Sequence, residues 1–194
     1  MDKHSKQEKM INPEQLNQPI IFFTKGTGFW EKRIMAFTKT AAKLRGIKVS
    51  ETYSHVSLLV KDKDEKWIVI ETNPTLGVRI KDFNQNENRM YRQFKFKPLS
   101  EKDKLVDQAK IQDMVCDAKY MAGHGLKYNY GAIFGQLLNT LTGIWIGKKQ
   151  RTDKVYCSQL VAYLLYRYFG LQSLKDYNSI DIIDLQINPN FMEA

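Results

Sequence analysis

Two runs rich in β-branched and aromatic residues, "TYSHVSLLV" and "WIVIET", flank the short charged segment "KDKDEK" that begins at Lys61. Side chains alternate between the two faces of a strand, and a polar loop of this length suits a hairpin. The sequence therefore predicts two antiparallel strands that pair directly with each other. In the first strand the alternation places His55, Ser57 and Leu59 on one face and the apolar residues between them on the other.

Further patterned segments surround this hairpin. "PIIFFT" from Pro19 predicts a first strand, while "GVRIKDF" and "MYRQFKFKPL" predict later ones, the last closed by Pro98. Apolar residues at helical spacing predict three helices. The first is "GFWEKRIMAFTKTAAKLRG", which ends at Gly46, and the second is "SEKDKLVDQAKIQDMVCDAKYMAG", which begins with a capping box at Ser100. The third is "YCSQLVAYLLYRYFG". The tail "SIDIIDLQINPNFMEA" is expected to add an edge strand or a strap. This order predicts an α+β fold in which an antiparallel sheet packs against helices.

The chain has 194 residues and shows no internal repeat or low-complexity linker. That length is enough for one domain with a sizeable core. We expect residues 1–18 to form a flexible N-terminal arm and residues 19–194 to form a single domain. The arm is polar and has no apolar signal-peptide region, and two cysteines do not make a disulfide framework. Both features favour a cytoplasmic protein.

The chain is basic, with 30 Lys and Arg against 21 Asp and Glu and a net charge of +9. Such a balance suits contact with an anionic polymer, an anionic membrane surface or an acidic substrate. The positive residues are spread along the chain without a basic tail, so dedicated nucleic-acid binding is not expected. No ligand spacing for a metal is present, and no phosphate-binding lysine motif or cofactor motif was found, so no cofactor is expected.

One long segment, residues 128–147, has no charged residue. Its length would span a bilayer core, but its several amide and hydroxyl side chains and its four glycines argue against a transmembrane helix. We expect a buried or half-buried helix followed by a loop, with peripheral membrane contact as the alternative.

Cys157 lies in the first turn of the last long helix, on the same side as its apolar stripe. The N-terminus of a helix stabilises a thiolate and lowers the pKa of a cysteine. A free cysteine is also often a small buried hydrophobe. The helix alone therefore leaves Cys157 as either a nucleophile or a core residue.

A nucleophilic cysteine needs a base, and the chain has three histidines. His4 lies in the polar arm. His124 lies at a glycine-flanked helix end, where it can cap backbone carbonyls. His55 lies within a predicted strand, as either a base or a satisfied core histidine.

Glu71 lies on the second hairpin strand. If Val60 pairs with Lys66, His55 falls opposite Glu71 on the same face. A carboxylate there would fix the imidazole tautomer and stabilise the imidazolium. The alternatives for Glu71 are a solvent-facing position or a pairing with Arg79.

The order "SHVSLLV", "IET" and "YCSQLVAYLLY", preceded by "PIIFFTKGTGFWEKRIMAFTK", resembles the circularly permuted papain-fold hydrolases, the YiiX-like branch of the NlpC-type amidase and peptidase superfamily. In this branch the histidine strand precedes the cysteine helix. The resemblance implies a permuted papain-like fold with Cys157 as nucleophile, His55 as base and Glu71 as the orienting residue.

These roles predict a cysteine hydrolase that cleaves an amide bond through an acyl-enzyme. Backbone N–H groups at the helix start would stabilise the oxyanion, with Tyr53 and Tyr156 as further candidate donors. The expected partners are peptide, amide or acyl substrates. Two alternatives remain open: an acyltransferase working on acyl chains at a membrane surface, and a non-catalytic binding protein on the same scaffold.

Overall fold

The computed structural model describes residues 19–84, 94–98, 108–133, 135 and 153–191. Within this part, strands and helices follow the predicted order, strands first and one early helix among them. The elements are β1 Ile20–Thr24, α1 Phe29–Leu44, β2 His55–Lys61, β3 Trp67–Asn73, β4 Gly77–Asp82, β5 Phe94–Pro98, α2 Gln108–Gly123, β6 Lys127–Tyr128, β7 Lys154–Val155, α3 Cys157–Phe169, a short 3-10 turn Gln172–Leu174 and α4 Ile182–Gln186. The chain is therefore an α+β protein.

Five of the strands form one antiparallel sheet in the order β4-β3-β2-β1-β5. The predicted hairpin is present as β2 and β3, but its register differs from the expected one. Val60 pairs with Ile68, two residues along from the predicted partner Lys66. A shift of two residues keeps every side chain on its expected face, because the side-chain period of a strand is two. His55 is the first residue of β2 and not a mid-strand residue, and it pairs with Thr24 of β1.

The main core lies between one face of the sheet and helices α2 and α3. Alternate sheet residues such as Val56, Leu58 and Ile70 are buried there against the helices. The opposite face carries a smaller buried cluster that contains Phe22 and Leu59. This division follows from the alternation of side chains along each strand. His55 and Glu71 belong to the face opposite the main core.

Helix α3 begins at Cys157 and buries the apolar stripe that the sequence predicted. Leu160, Val161, Leu164 and Leu165 are each at most 1% exposed. The helix packs on β2 and β3, and its first residue, Cys157, contacts His55 and Val56 at the start of β2. This placement brings the first residue of α3 to the first residues of the histidine strand.

The C-terminal tail, expected to form an edge strand or a strap, contains a short helix. Residues Ile182–Gln186 form the short helix α4, because Asp181 caps its N-terminus. The Asp181 side chain accepts from the backbone N–H of Asp184, and the Asp184 side chain accepts from the backbone N–H of Asp181. This reciprocal pair is a capping box with Asp at both positions, and it outweighs the strand propensity of the isoleucines.

Several expectations fall partly or wholly outside the described residues. They are the N-terminal arm, the capping box at Ser100 and most of the uncharged segment, of which residues 130–133 and 135 are described as helical. Across the described ranges no helix has both the length and the apolar character needed to cross a membrane.

Candidate active site

Cys157 is the first residue of α3 and is only 4% exposed. Its burial opposes ionisation of the thiol, but a hydrogen bond with His55 and the backbone N–H groups of Val56 and Ser158 outweigh it. The pKa of Cys157 is therefore lowered from the ordinary thiol value. The partial positive charge at the start of the helix acts in the same direction. The thiol therefore occupies a position that favours the thiolate.

His55 lies between the thiol and a carboxylate. Its Nε2 lies 3.0 Å from Oε2 of Glu71, which leaves Nδ1 as the ring nitrogen for Cys157. Burial disfavours the imidazolium, but the hydrogen bonds and charges of Cys157 and Glu71 outweigh burial and raise the pKa of His55 to about 10. The pair is therefore set up as a thiolate and an imidazolium.

The two oxygens of Glu71 contact three partners. Oε2 faces His55, while Oε1 accepts a hydrogen bond of 2.7 Å from Nε of Arg79 and lies 3.7 Å from Nζ of Lys81. Burial would raise the pKa of Glu71, but His55, Lys81 and Arg79 lower it to about 2. The side chain is 8% exposed, so Glu71 is not solvent-facing, and it pairs with both His55 and Arg79. Because of the shifted register it lies diagonally, not directly, across from His55.

The two tyrosines expected as candidate donors point their hydroxyl groups elsewhere. The Tyr53 hydroxyl donates to Oε2 of Glu51 at 2.8 Å, and its ring packs against Phe23. The Tyr156 hydroxyl donates to the backbone oxygen of Asn178 at 2.8 Å. A tyrosine has a single O–H to donate. Both hydroxyl groups therefore donate away from Cys157, and Tyr53 and Tyr156 do not have the expected position as oxyanion donors.

Tyr128 lies beside the thiol, and the sequence did not predict it there. It is buried, and its hydroxyl hydrogen-bonds with Cys157. Burial and the negative charge of the neighbouring thiolate raise the pKa of Tyr128, so the hydroxyl keeps its proton. Pairing of β6 with β7 places Tyr128 beside Val155 and hence near Cys157. A two-residue parallel bridge has no periodic pattern that a sequence could reveal.

A pocket that is partly open to solvent lies beside the thiol. Cys157, Tyr128 and Ser158 contribute to one part of its lining. Its other walls are mostly apolar and come from α1, from residue 133 and from α4, namely Ile34, Phe37, Thr38, Ala41, Ile133, Ile182 and Ile183, with Ser54 and Tyr156 completing the lining. The nucleophile candidate is thus buried in the protein but faces an open space.

Asp181 is the acidic residue of the cavity lining. Burial and the charge of Asp184 raise its pKa to about 6, against the opposing charge of Arg45. Arg45 at the end of α1 pairs with both carboxylates, through Nη1 with Asp181 at 2.9 Å and through Nη2 with Asp184. The cluster joins the end of α1 to the start of α4 at the border of the cavity.

The other residues considered from sequence lie elsewhere. His124 caps α2, with Nδ1 2.9 Å from the backbone oxygen of Tyr120. Cys116 is exposed on α2, away from Cys157. Among the described residues, no three His, Cys, Asp or Glu side chains are grouped as metal ligands would be.

No protein-family model matches this chain, and no curated protein is significantly similar to it. Its function is therefore inferred from the geometry of its own residues.

Proposed function

We propose that this protein is a cysteine hydrolase that cleaves an amide bond through a thioester acyl-enzyme. Cys157 is the nucleophile, His55 the general base and acid, and Glu71 the residue that orients and stabilises the imidazolium. The observation that carries this proposal is the continuous contact from Cys157 to His55 to Glu71 beside an open cavity. A cysteine, a base in contact with it and an acidic partner of that base are the parts that covalent catalysis needs.

The reaction follows from these positions. The Cys157 thiolate attacks the carbonyl carbon, and the imidazolium of His55 protonates the leaving nitrogen as the C–N bond breaks. Water then attacks the thioester carbon while His55 takes its proton. Departure of the carboxylic acid restores the thiolate and the imidazolium.

The oxyanion of each tetrahedral intermediate needs donors. The backbone N–H of Cys157 lies at the helix start, where the helix itself supplies no acceptor for it. The Tyr128 hydroxyl lies beside the same sulfur and retains its proton. We assign these two groups as the oxyanion donors, in place of Tyr53 and Tyr156.

The permuted papain-like fold belongs to the same proposal. A histidine strand that precedes the cysteine helix, an antiparallel sheet and a helix N-terminus directed at the start of the histidine strand all support it. A fold by itself does not define a function. The contacts of the three residues therefore carry more weight than the architecture.

Acyl transfer is the second candidate function, favoured by the apolar wall of the cavity. Ile34, Phe37 and Ile182 would hold an apolar acyl group beside the sulfur, and an apolar surrounding limits the access of water to the thioester. A primary alcohol or amine added to the assay would then take the acyl group in preference to water. Hydrolysis predicts free acid as the main product under the same conditions.

The test of the proposed function is the ionisation of Cys157 as a function of pH. Thiolate absorbance is compared between Cys116→Ser and Cys116→Ser/Cys157→Ser, so that only Cys157 contributes to the difference. We expect the thiolate to form below the roughly 8.5 of a free thiol, and the pKa of Cys157 to rise in His55→Ala, which removes the hydrogen bond and the charge of the imidazolium. His124→Ala is the matched control and leaves the titration unchanged.

Activity is then measured on a panel of amides and thioesters. Cys157→Ala removes turnover, and Tyr128→Phe lowers kcat about tenfold to a hundredfold with little change in KM, because an oxyanion donor acts only in the transition state. A Cys157 that titrates like a free thiol and does not respond to His55→Ala would mean that the cysteine is a core residue. The binding-scaffold alternative would then replace the hydrolase.

A further inference from the structure

Helix α1 carries an apolar stripe that the fold leaves largely unburied. Trp30, Ile34, Phe37 and Leu44 recur at helical spacing, so they lie along one side of the helix. The residues that α1 does bury in the protein are small, namely Thr38, Ala41 and Ala42. The large apolar side chains of α1 therefore contribute little to the core.

The ends of this stripe are the most exposed parts of it. Trp30 is 72% exposed and Leu44 58% exposed, and the neighbouring Phe29, 62% exposed, packs edge-on against Trp30. Between the two ends, Ile34 and Phe37 line the cavity beside Cys157. The exposed apolar surface thus borders the cavity that holds the thiol.

Cations flank the stripe. From residue 25 to residue 45 the chain has six basic residues and a single acidic one. Lys25 and Arg45 are engaged with carboxylates of the protein. The remaining cations are exposed and have no carboxylate partner among the described residues, and these are Lys32, Arg33, Lys39 and Lys43. The Arg33 guanidinium lies 4.5 Å from the centre of the Phe29 ring, so charge and aromatic surface adjoin directly.

We propose that this surface, formed by Phe29, Trp30 and Leu44 together with those four cations and called here the α1 face, docks on a bilayer that contains anionic phospholipid. Exposed Trp, Phe and Leu with adjacent Lys and Arg are the composition of helices that lie in a membrane interface. The aromatic rings occupy the headgroup boundary, and the cations contact the lipid phosphates. An aliphatic side chain such as Leu44 is matched by acyl chains and not by a polar anionic polymer, so the membrane fits better than nucleic acid.

This docking goes beyond the proposed function and does not depend on it. It places the mouth of the cavity toward the lipid surface, whatever chemistry Cys157 performs. Its readout is binding, so Cys157→Ser is expected to bind vesicles as the parent protein does. Loss of activity and loss of docking are therefore separable results.

The test is co-sedimentation of the full chain with vesicles of phosphatidylcholine alone or of phosphatidylcholine mixed with phosphatidylserine. The parent protein is expected to bind the mixed vesicles, to bind the neutral ones much less, and to lose binding as salt is added. The double change Phe29→Ser/Trp30→Ser lowers binding about tenfold or more, because the inserted apolar area is lost. Lys32→Glu/Arg33→Glu lowers it by about fivefold for each cation lost.

The matched control is Leu76→Ser, which removes an apolar side chain of similar exposure, 64%, from the turn between β3 and β4. It is expected to leave binding unchanged. The residues changed on the α1 face and in the Leu76 control are exposed, and circular dichroism and thermal unfolding check that every variant, including Cys157→Ser, still folds.

Three results would overturn the proposal. One is a parent protein that does not distinguish the two vesicle types. Another is equal binding by Phe29→Ser/Trp30→Ser and by Leu76→Ser. The third is a parent protein that dimerises with increasing concentration, while Phe29→Ser/Trp30→Ser is monomeric and binds vesicles as the parent does. A second copy of the chain would then cover the α1 face.

Discussion

The carboxylate of Glu71 connects the candidate active site to the charge balance of the sheet. Its two oxygens contact His55 on one side and Arg79 on the other, and its side chain is almost fully buried. A buried carboxylate without such partners would take up a proton, which would remove its effect on the imidazole. Arg79 therefore acts on the thiol indirectly, because it keeps Glu71 ionised and in place.

The first prediction concerns the change Glu71→Gln, which keeps the shape of the side chain but removes its charge. The pKa of His55, about 10 in the parent, falls by about one to three units, because the imidazolium loses its anionic partner. A histidine whose pKa is raised by folding contributes stability in full below its unfolded value of about 6.5, and this contribution is lost as pH rises through about 10. The variant therefore shows a smaller loss of unfolding free energy between neutral pH and pH of about 10.

The measurement is an NMR titration of the histidine rings, combined with urea unfolding at several pH values. His124 serves as the internal control, since it directly follows α2 and contacts Tyr120 and not Glu71. An unchanged His55 midpoint in Glu71→Gln would mean that the carboxylate does not stabilise the imidazolium. Glu71 would then not be the residue that stabilises the imidazolium of His55.

Residue by residue, the sequence was informative where side-chain alternation decides the outcome. His55 and Glu71 were predicted on one face, and they remain there although the register differs by two positions. Tyr128 and Asp181 were not predicted as residues near the thiol, because they arrive through a two-residue bridge and a cap that depend on tertiary contacts. Alternation can be seen in neighbouring residues of the sequence, whereas a contact between distant segments cannot.

At the level of elements, long periodic segments were predicted well and short ones were not. The strands β1 to β4 and helices α1 and α3 lie where apolar periodicity placed them, because each has a buried side that selects its pattern. Helix α4 has only five residues, too few for a period to show, and its two-aspartate cap was overlooked. The bridge between β6 and β7 is shorter still.

That bridge depends on a close approach at Gly77, the first residue of β4. Gly77 has φ of +75°, and a Cβ added there would overlap the backbone oxygen of Leu126, which accepts the N–H of Val78. Glycine permits both the left-handed conformation and the contact. The start of β4 can therefore hold the segment that leads into Tyr128.

The second prediction is that Gly77→Ala destabilises the protein by clearly more than Gly46→Ala. Gly46 also has a positive φ, +68°, but a Cβ there meets nothing within 4 Å, so only the backbone strain of about 1–2 kcal/mol is expected. At Gly77 the clash with the backbone adds about 1–3 kcal/mol. Chemical unfolding of the two variants measures the difference. Equal losses of unfolding free energy in the two variants would show that β4 and the Leu126 segment can move apart without loss of stability.

Across the whole molecule, burial is distributed unevenly between the helices. Helix α3 buries eight of its residues against the sheet and α2, whereas the longer helix α1 buries three. Helix α1 is held by a small cluster in which Ala41 and Ala42 meet Ile183 of α4, and by the ion pairs of Arg45. Local stability follows the buried apolar contacts of a segment. Helix α1 should therefore open at a lower free energy than the sheet.

The third prediction is that amide hydrogens of α1 exchange faster than those of β2 and α3, and that Ile183→Ala accelerates exchange in α1 selectively. Ile183 is 1% exposed, and its truncation removes about 2 kcal/mol from the α1 cluster, which corresponds to about 30-fold faster exchange there. Ile111→Ala is the matched control in the main core, where Ile111 is 2% exposed, and it should accelerate β2 along with everything else. If Ile183→Ala instead accelerates β2 and α1 equally, α1 opens only with global unfolding. Selective opening would mean that α1, which forms one wall of the cavity, can move while the thiol, the imidazole and the carboxylate stay in place. Movement of α1 would then change access to the cavity.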